Sequence, residues 1–416
     1  MLFSNIVNLS LTALITATAG QAAPAARNNG KNDKGGASAT YAECQRPKDV
    51  QGTQLQGCPN NTIYVSKTDP QSGFGSIQQA VLSLPNDNSS QVILIGPGSY
   101  HEVVNVTRKG PVTLLGMTYD PTNWESNLVK LWSSSFINQT TQTAGQDNAD
   151  AVTLTVSPNR AASLIGAGPA GAPLQPEFGN VDFKIYNIDV ANRATVNGKE
   201  FMGQTGPSAA LIVAYSNFSS YQSTYRSWQD TVFVGRNGSA LFYGGEIRGA
   251  TDYLYGFGTA WFEGVTMANR GNGGGIVAWK GSSNIYGPDS FGAYQANGKI
   301  VRAPDAPATA NLTLASPLGR PWNNASRSIY LNTYMSDIVL PQGFIAWSDK
   351  EPRIVPNLTF FGEYGSYGPG FNAAARNTSV ETLLTKEQAA EYTVDKVFGG
   401  MPAWIDVGTA VIGQVA

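Results

Sequence analysis

From Ile63 to Phe361 the chain returns again and again to one unit, a short β-branched or aromatic run punctuated by Gly, Asn or Asp. The runs are Val92–Ile95, Val112–Leu115, Val152–Val156, Phe183–Ile188, Ala210–Val213 and Thr231–Val234, then Ala240–Tyr243, Thr259–Phe262, Gly275–Ala278, Ser328–Leu331 and Leu358–Phe361. Their length and frequent alternation are those of strands. A spacing of roughly 20 to 30 residues admits two or three strands per repeat. With 46 Gly and only 13% charged residues, the composition suits a β-rich chain with many tight turns better than a charged helical protein. Periodicity alone leaves a β-helix, a propeller and a sandwich open. No Pro/Ser linker divides the chain after about residue 60, so residues 61–416 are expected to form a single elongated domain.

Two segments carry helical patterns. Ser76 to Leu84 places Ile77, Ala80, Val81 and Leu84 on one face. Such a helix can cap the open first rung of a stacked sheet, whose strand edge would otherwise recruit other chains. Lys386 to Val397 is a second helix candidate near the C-terminus.

The N-terminus has the pattern of a secretory signal over residues 1–19. Leu9 to Ala17 form a short apolar core, and Ala17-Thr18-Ala19 fits the small-residue cleavage pattern, with a second cut available after Gln21-Ala22-Ala23. The stretch is too short and too broken by Ser and Thr to span a bilayer. Residues 20–60 are expected to be a flexible leader. Cys44 and Cys58 are the only cysteines. In a secreted chain the pair implies a disulfide, contributing on the order of 3 kcal/mol, with two free thiols as the alternative. The sequons at Asn105, Asn311, Asn324 and Asn377 also suit an extracellular glycoprotein. A formal net charge of −2 offers no basic field for nucleic acid.

Asp230 lies in Trp228-Gln229-Asp230-Thr231 and Asp252 in Gly249-Ala250-Thr251-Asp252-Tyr253-Leu254-Tyr255-Gly256, 252 − 230 = 22 residues apart. In a stacked coil that separation is about one turn of the solenoid, which sets the two carboxylates on neighbouring rungs about 4.8 Å apart. Both cannot ionise cheaply at that distance, so their proton affinities are driven apart. One ionised and one protonated carboxyl is what acid–base or nucleophilic chemistry requires. Arg320, in Leu318-Gly319-Arg320-Pro321-Trp322, is the candidate cation for the ionised member. Taken singly, each Asp also reads as a turn residue. His101 is the one histidine. A zinc site built on several histidines is therefore excluded, and His101 is expected to be a surface or packing residue.

These segments resemble the pectin methylesterase (pectinesterase) family. Gln229-Asp230-Thr231, Gly249 to Gly256 and Leu318 to Trp322 match its Q-D-T, G-x-x-D-F-I-F-G and L-G-R-P-W motifs in order. Phe74 to Val81, Gly98 to Glu102 and Gly362 to Gly370 resemble its opening helix, first coil and E-Y-x-x-x-G-P-G segment. The resemblance runs from about Tyr64 to Trp404. It implies a right-handed parallel β-helix with its cleft on one long face and no metal or organic cofactor. The implied substrate is methylated homogalacturonan (pectin), and a capped solenoid of this kind is expected to be a monomer. It further implies that Asp252 attacks the ester carbonyl, Asp230 is the acid and base, Gln229 donates to the oxyanion, Arg320 holds Asp252 and Trp322 faces a sugar ring. Tyr253, Tyr255, Trp279 and Lys280 depart from the family's usual residues and could tune which sugar units are chosen, with simple packing as the alternative, above all for Tyr253.

One departure bears on rate. The family usually places a second Gln about 22 residues before Gln229, and this chain has Pro207 there. Losing an oxyanion donor costs about 10²–10³ in turnover, and Gln204 or Ser208 from the same loop could compensate. A pair of carboxylates about 5 Å apart also suits a retaining glycoside hydrolase. A lyase would want acidic calcium ligands, and no such cluster surrounds Asp230 and Asp252. A wall-binding protein with a decayed site is the non-enzymatic alternative.

Overall fold

The computed structural model of the chain describes residues 36–50, 52–138, 140–143, 145–166, 177–200, 203, 206–281, 291–410 and 412. The expected signal segment 1–19, and the leader as far as residue 35, lie outside them. Ala37–Ala416 form one compact unit.

Within that unit the described strands, apart from the antiparallel pair Thr195–Val196 and Lys199–Glu200, stack as three parallel sheets of eleven, eight and seven strands. One coil visits all three: Ser239–Tyr243 belongs to the first sheet, Glu246–Gly249 to the second and Leu254–Gly256 to the third. The next coil restarts at Thr259–Glu263, with Ser239 in register with Thr259. Val232 pairs with Leu254 in the third sheet. This is the expected right-handed parallel β-helix. Parallel strands covered on both faces need near-continuous apolar runs. Those runs fill the coil with stacked side chains such as Phe218, Phe242 and Phe262, whose rings lie 5.5 and 4.8 Å apart in sequence along the axis.

The punctuation has a structural cause. Asn187, Gln222, Gly244, Gly264, Asn297, Asn332 and Gly365 all hold left-handed backbone, φ 47° to 65°, at the corner between the first and second sheets. One such residue turns the chain, and Gly and Asn adopt that conformation at least cost. The corner amides continue the ladder: the N–H of Asn187 donates to Tyr221 O at 3.0 Å, and that of Gln222 to Tyr243 O at 2.9 Å. Asn187 thereby divides the run read as Phe183–Ile188 into two strands, Phe183–Tyr186 and Ile188–Asn192.

Ile77–Leu82 forms the expected cap helix, with Ser76 as its N-cap. The Glu102 carboxylate accepts from the N–H groups of Ile77 and Gln78, each at 3.1 Å, which compensates the positive end of that helix. The C-terminal pattern forms two short helices, Lys386–Ala389 and Val394–Val397, because Thr385 and Thr393 each start a new one from extended backbone.

The leader expected over residues 20–60 is part of the fold from Tyr41 onward. The Tyr41 ring packs 5.4 Å from that of Tyr186. The buried Gln45 amide donates to Gly116 O and Asn187 Oδ1, both at 2.9 Å. Cys44 and Cys58 form a disulfide. Together with C-terminal residues such as Leu384, Val397 and Trp404, this segment covers the outer face of the first sheet. A sheet face carrying Tyr186, Tyr221, Leu241 and Trp261 cannot stand in water, and the chain's two ends supply its cover. His101 is exposed and stacks on Trp132 at 3.9 Å. Asn105, Asn311, Asn324 and Asn377 are exposed. Among the described residues no helix is long and apolar enough to cross a membrane.

Candidate active site

The third sheet runs through Val104–Val106, Val152–Val156, Ala209–Val213, Val232–Val234, Leu254–Gly256, Val277–Trp279 and Gly319–Pro321. A cleft of about 430 Å³ lies over it, and Gln229, Asp230, Asp252, Arg320 and Trp322 all line it. Gln229 bridges in parallel to Thr251, one position ahead of the aspartates. The 22-residue spacing therefore sets Asp230 and Asp252 at equivalent positions of successive coils.

Both aspartates sit at the corner where the chain enters this sheet, and both are left-handed, with φ 59° and 46°. Their N–H groups stay in the ladder, that of Asp230 donating to Thr251 O at 3.0 Å and that of Asp252 to Gly275 O at 2.8 Å. The backbone is thus satisfied while each side chain leaves the coil at its edge.

Their surroundings differ. Arg320 grips Asp252 with a fork, Nε to Oδ1 at 3.0 Å and Nη2 to Oδ2 at 2.6 Å. The Gly275 N–H adds a third donor to Oδ1 at 3.0 Å. Charge-assisted donors of this kind favour and aim a carboxylate. Asp230 has no such fork. Burial lifts its carboxyl well above the usual range and the charge of Asp252 adds to the effect, while a hydrogen bond from Gln229 and the charge of Arg320 oppose it. A charged carboxylate beside a protonated carboxyl can supply a nucleophile and a proton to one substrate.

The aromatic wall is tied to the same cation. The Arg320 guanidinium stacks 4.1 Å from the Trp347 ring, which also carries Arg353 at 4.4 Å. The Ile345 N–H donates to Gly319 O and the Leu318 N–H to Gly343 O, both at 3.0 Å, so the Trp347 loop is pinned to the Arg320 strand. Trp322 is half-buried, with the Tyr255 ring at 5.8 Å and Lys280 Nζ over its own ring at 3.8 Å. Burial, with Arg236 and Arg353 nearby, pushes the Lys280 amine down to about 8.

Three residues expected at the substrate are not there. Tyr253 is fully buried in the coil, where its hydroxyl donates to Asn269 Oδ1 at 2.8 Å. Trp279 is also core, its Nε1 donating to Gly258 O at 3.0 Å. Ser208 is buried, and its N–H donates to Gln229 O at 3.1 Å, bracing the rung beneath the cleft. Tyr253 and Trp279 belong to the core inside the coil. Gln204 lies outside the described residues, whereas Pro207 does line the cleft. Lys280 is itself buried, with its Nζ over the ring of Trp322, which lines the cleft.

Tyr255, whose added hydroxyl was expected to reach substrate, does line the cleft; Asn148 and Trp347 line it too, and sequence reasoning gave neither of them a role in the site. Asn148 and Trp347 come from loops, where no period marks which residue returns to the sheet.

Comparison with known proteins agrees with this fold. The model of the family described as Pectinesterase matches residues 189–401, just over half of the chain. The chain is 26% identical over 315 residues to probable pectinesterase A of Aspergillus niger, covering 75% of this chain and 81% of that protein. Among solved structures, pectin methylesterase from carrot matches with a TM-score of 0.65 at 19% identity, over 86% of this chain and 98% of that one. The deglycosylated pectin methylesterase from Aspergillus niger matches with a TM-score of 0.61 at 23% identity, over 79% and 91%.

Proposed function

The chain belongs to the pectinesterase family of carboxylic ester hydrolases that de-esterify pectin, and we propose that Asp252 is its nucleophile and Asp230 its acid and base. An Asp252 oxygen adds to the C6 carbonyl carbon of a methylated galacturonate, and the carbonyl electron pair moves onto its oxygen. The Gln229 amide donates to that oxyanion; its nitrogen carries two N–H groups, so it can serve Asp230 and the oxyanion together. Collapse breaks the bond to the methoxy group, which leaves as methanol with the proton of Asp230. The acyl group remains on Asp252 as an anhydride.

Asp230, now ionised, takes a proton from water as the water oxygen adds to C6. The bond to Asp252 then breaks, the galacturonic acid is released and loses its proton to solvent, and both aspartates return to their starting states. Arg320 restrains Asp252 and receives its charge back at the end of the cycle. Trp322 and Trp347 offer flat apolar faces to sugar rings.

The observation that carries this reading is the asymmetry of two carboxyls one rung apart: Asp252 on the Arg320 fork, Asp230 buried and lifted. Methanol release from highly methylated pectin tests it, with reducing ends and unsaturated ends followed in the same tubes. Wild type is expected to release methanol without chain cleavage, and Asp252→Ala to release none. Methanol from Asp252→Ala at the wild-type rate would refute the assignment of the nucleophile.

The protein acts outside the cell, a reading supported by the signal-like residues 1–19 and the exposed sequons. N-terminal sequencing of protein recovered from the medium is expected to begin shortly after Ala19. A start at Met1 would count against secretion by this route.

A further inference from the structure

An oxyanion that forms in this cleft needs more than one donor. Arg320 is committed to Asp252, and the Gln229 amide is shared with Asp230. Pro207 has neither a side-chain donor nor a backbone N–H. Among the described lining residues, the side-chain amides are Gln229 and Asn148. We propose that Asn148 is the second oxyanion donor, and that it fills the chemical role that proline at position 207 cannot. The proposal rests on Asp252 being the nucleophile.

The topology makes the approach of Asn148 unusual. It sits in the one-turn helix Asn148–Asp150, just before the strand Val152–Val156. In the third sheet that strand neighbours Ala209–Val213, which in turn neighbours Val232–Val234. Two rungs, about 10 Å, separate its coil from that of Asp230. Asn148 Nδ2 nevertheless lies 3.4 Å from Asp230 Oδ2, across the rung that begins with Pro207. A compact ring at position 207 leaves that passage open, where a long amide side chain would occupy it. One Asn148 N–H can rest on Asp230 while the other serves the cleft that the residue lines.

The helix is held from both sides. The Asp147 carboxylate accepts from Ala149, Ile165 and Gly166 N–H groups at 2.9, 3.0 and 2.8 Å. Asp150 Oδ2 accepts from the Asp147 N–H at 2.9 Å, and Arg160 Nε and Nη2 grip Asp150 Oδ1 at 2.9 and 2.7 Å. A donor fixed before substrate arrives is what oxyanion stabilisation requires.

The test is the kinetics of Asn148→Ala and of the size-conserving Asn148→Leu on methylated pectin, each alone and combined with Pro207→Gln, with Asp252→Ala alongside. Losing the donor is expected to lower kcat about 10²-fold and to change KM less than about twofold. Pro207→Gln is expected to return at least about tenfold of the loss, since it restores an amide to the same cleft. Thermal melting identifies the variant that keeps the wild-type fold, and that variant carries the test. Unchanged kcat, a loss confined to KM, or a loss that Pro207→Gln leaves uncorrected would overturn the proposal. If Asp252→Ala is dead while the Asn148 variants keep their kcat, only Asn148 loses its role. If Asp252→Ala stays active, the underlying reading falls and the Asn148 role with it.

Discussion

Asp252 and Gly274 lie on neighbouring coils where the chain enters the third sheet, and both hold left-handed backbone, φ 46° and 72°. Gly274 has no side chain for a steric reason: a Cβ there would lie 2.7 Å from both Arg320 Nη2 and Asp252 Oδ1. The glycine therefore leaves the gap in which the Arg320 fork meets Asp252.

Gly274→Ala is expected to disturb that fork and strain the backbone together. Stability should fall by about 1–3 kcal/mol, as for other residues forced into the left-handed region. Methanol turnover should fall by about tenfold or more through the displaced Arg320. Urea unfolding and kcat measure the two effects, and a variant with wild-type turnover would show that the gap is not needed.

Asp230→Asn is expected to abolish turnover and yet stabilise the fold at neutral pH. The unfolded carboxyl titrates near 3.9, and the folded one well above that. Between the two values the folded chain holds a proton that the unfolded chain lacks, so wild-type stability falls as pH rises through that window. Asn removes this dependence. Melting temperatures should be similar near pH 3 and higher for the variant at pH 7. The opposite order would mean that Asp230 is not lifted.

Arg320→Lys keeps the charge but cannot make two parallel bonds to Asp252, nor stack flat on Trp347. Turnover is expected to fall about 10²-fold, the magnitude associated with misplacing a reacting group by about an ångström. Steady-state kinetics on methylated pectin decide this. Wild-type kcat in the Lys variant would show that charge alone suffices.

Away from the cleft, Arg376 lies between two buried carboxylates, Glu363 at 3.2 Å and Glu381 at 3.4 Å. One guanidinium cannot compensate both. Burial and the charge of Glu363 push the Glu381 carboxyl up to about 8 despite Arg376. The folded chain thus gains a proton relative to an unfolded Glu near 4.3, and stability falls as pH rises from there through about 8. Glu381→Gln should match wild type near pH 4 and be the more stable protein at pH 9. Parallel stability curves for the two proteins across that range would contradict this.

Much of this architecture was legible in the residues themselves. Runs such as Val92–Ile95 and Ala210–Val213 are continuous and apolar because parallel strands covered on both faces must be. The corner residues Asn187 and Gly244 mark turns because few side chains tolerate left-handed backbone. The strands of the second sheet were not legible. Thr224–Arg226, Glu246–Gly249 and Lys299–Arg302 mix polar and apolar residues because that sheet's outer face meets water and ion pairs such as Arg226–Glu200.

The same division runs through the site. The spacing of Asp230 and Asp252 is a property of the sequence, since a solenoid converts a 22-residue interval into adjacency. Which neighbours those carboxyls meet was decided only by tertiary structure. Tyr253 follows a left-handed residue and turns into the core, whereas Tyr255 reaches the cleft. Asn148 arrives across two rungs from a sequence distance of 82 residues, and Trp347 returns on a loop to lie against Arg320. Adjacency within a coil follows a fixed repeat and is written along the chain; contacts made by loops over the sheet follow no period and exist only once the coils are stacked.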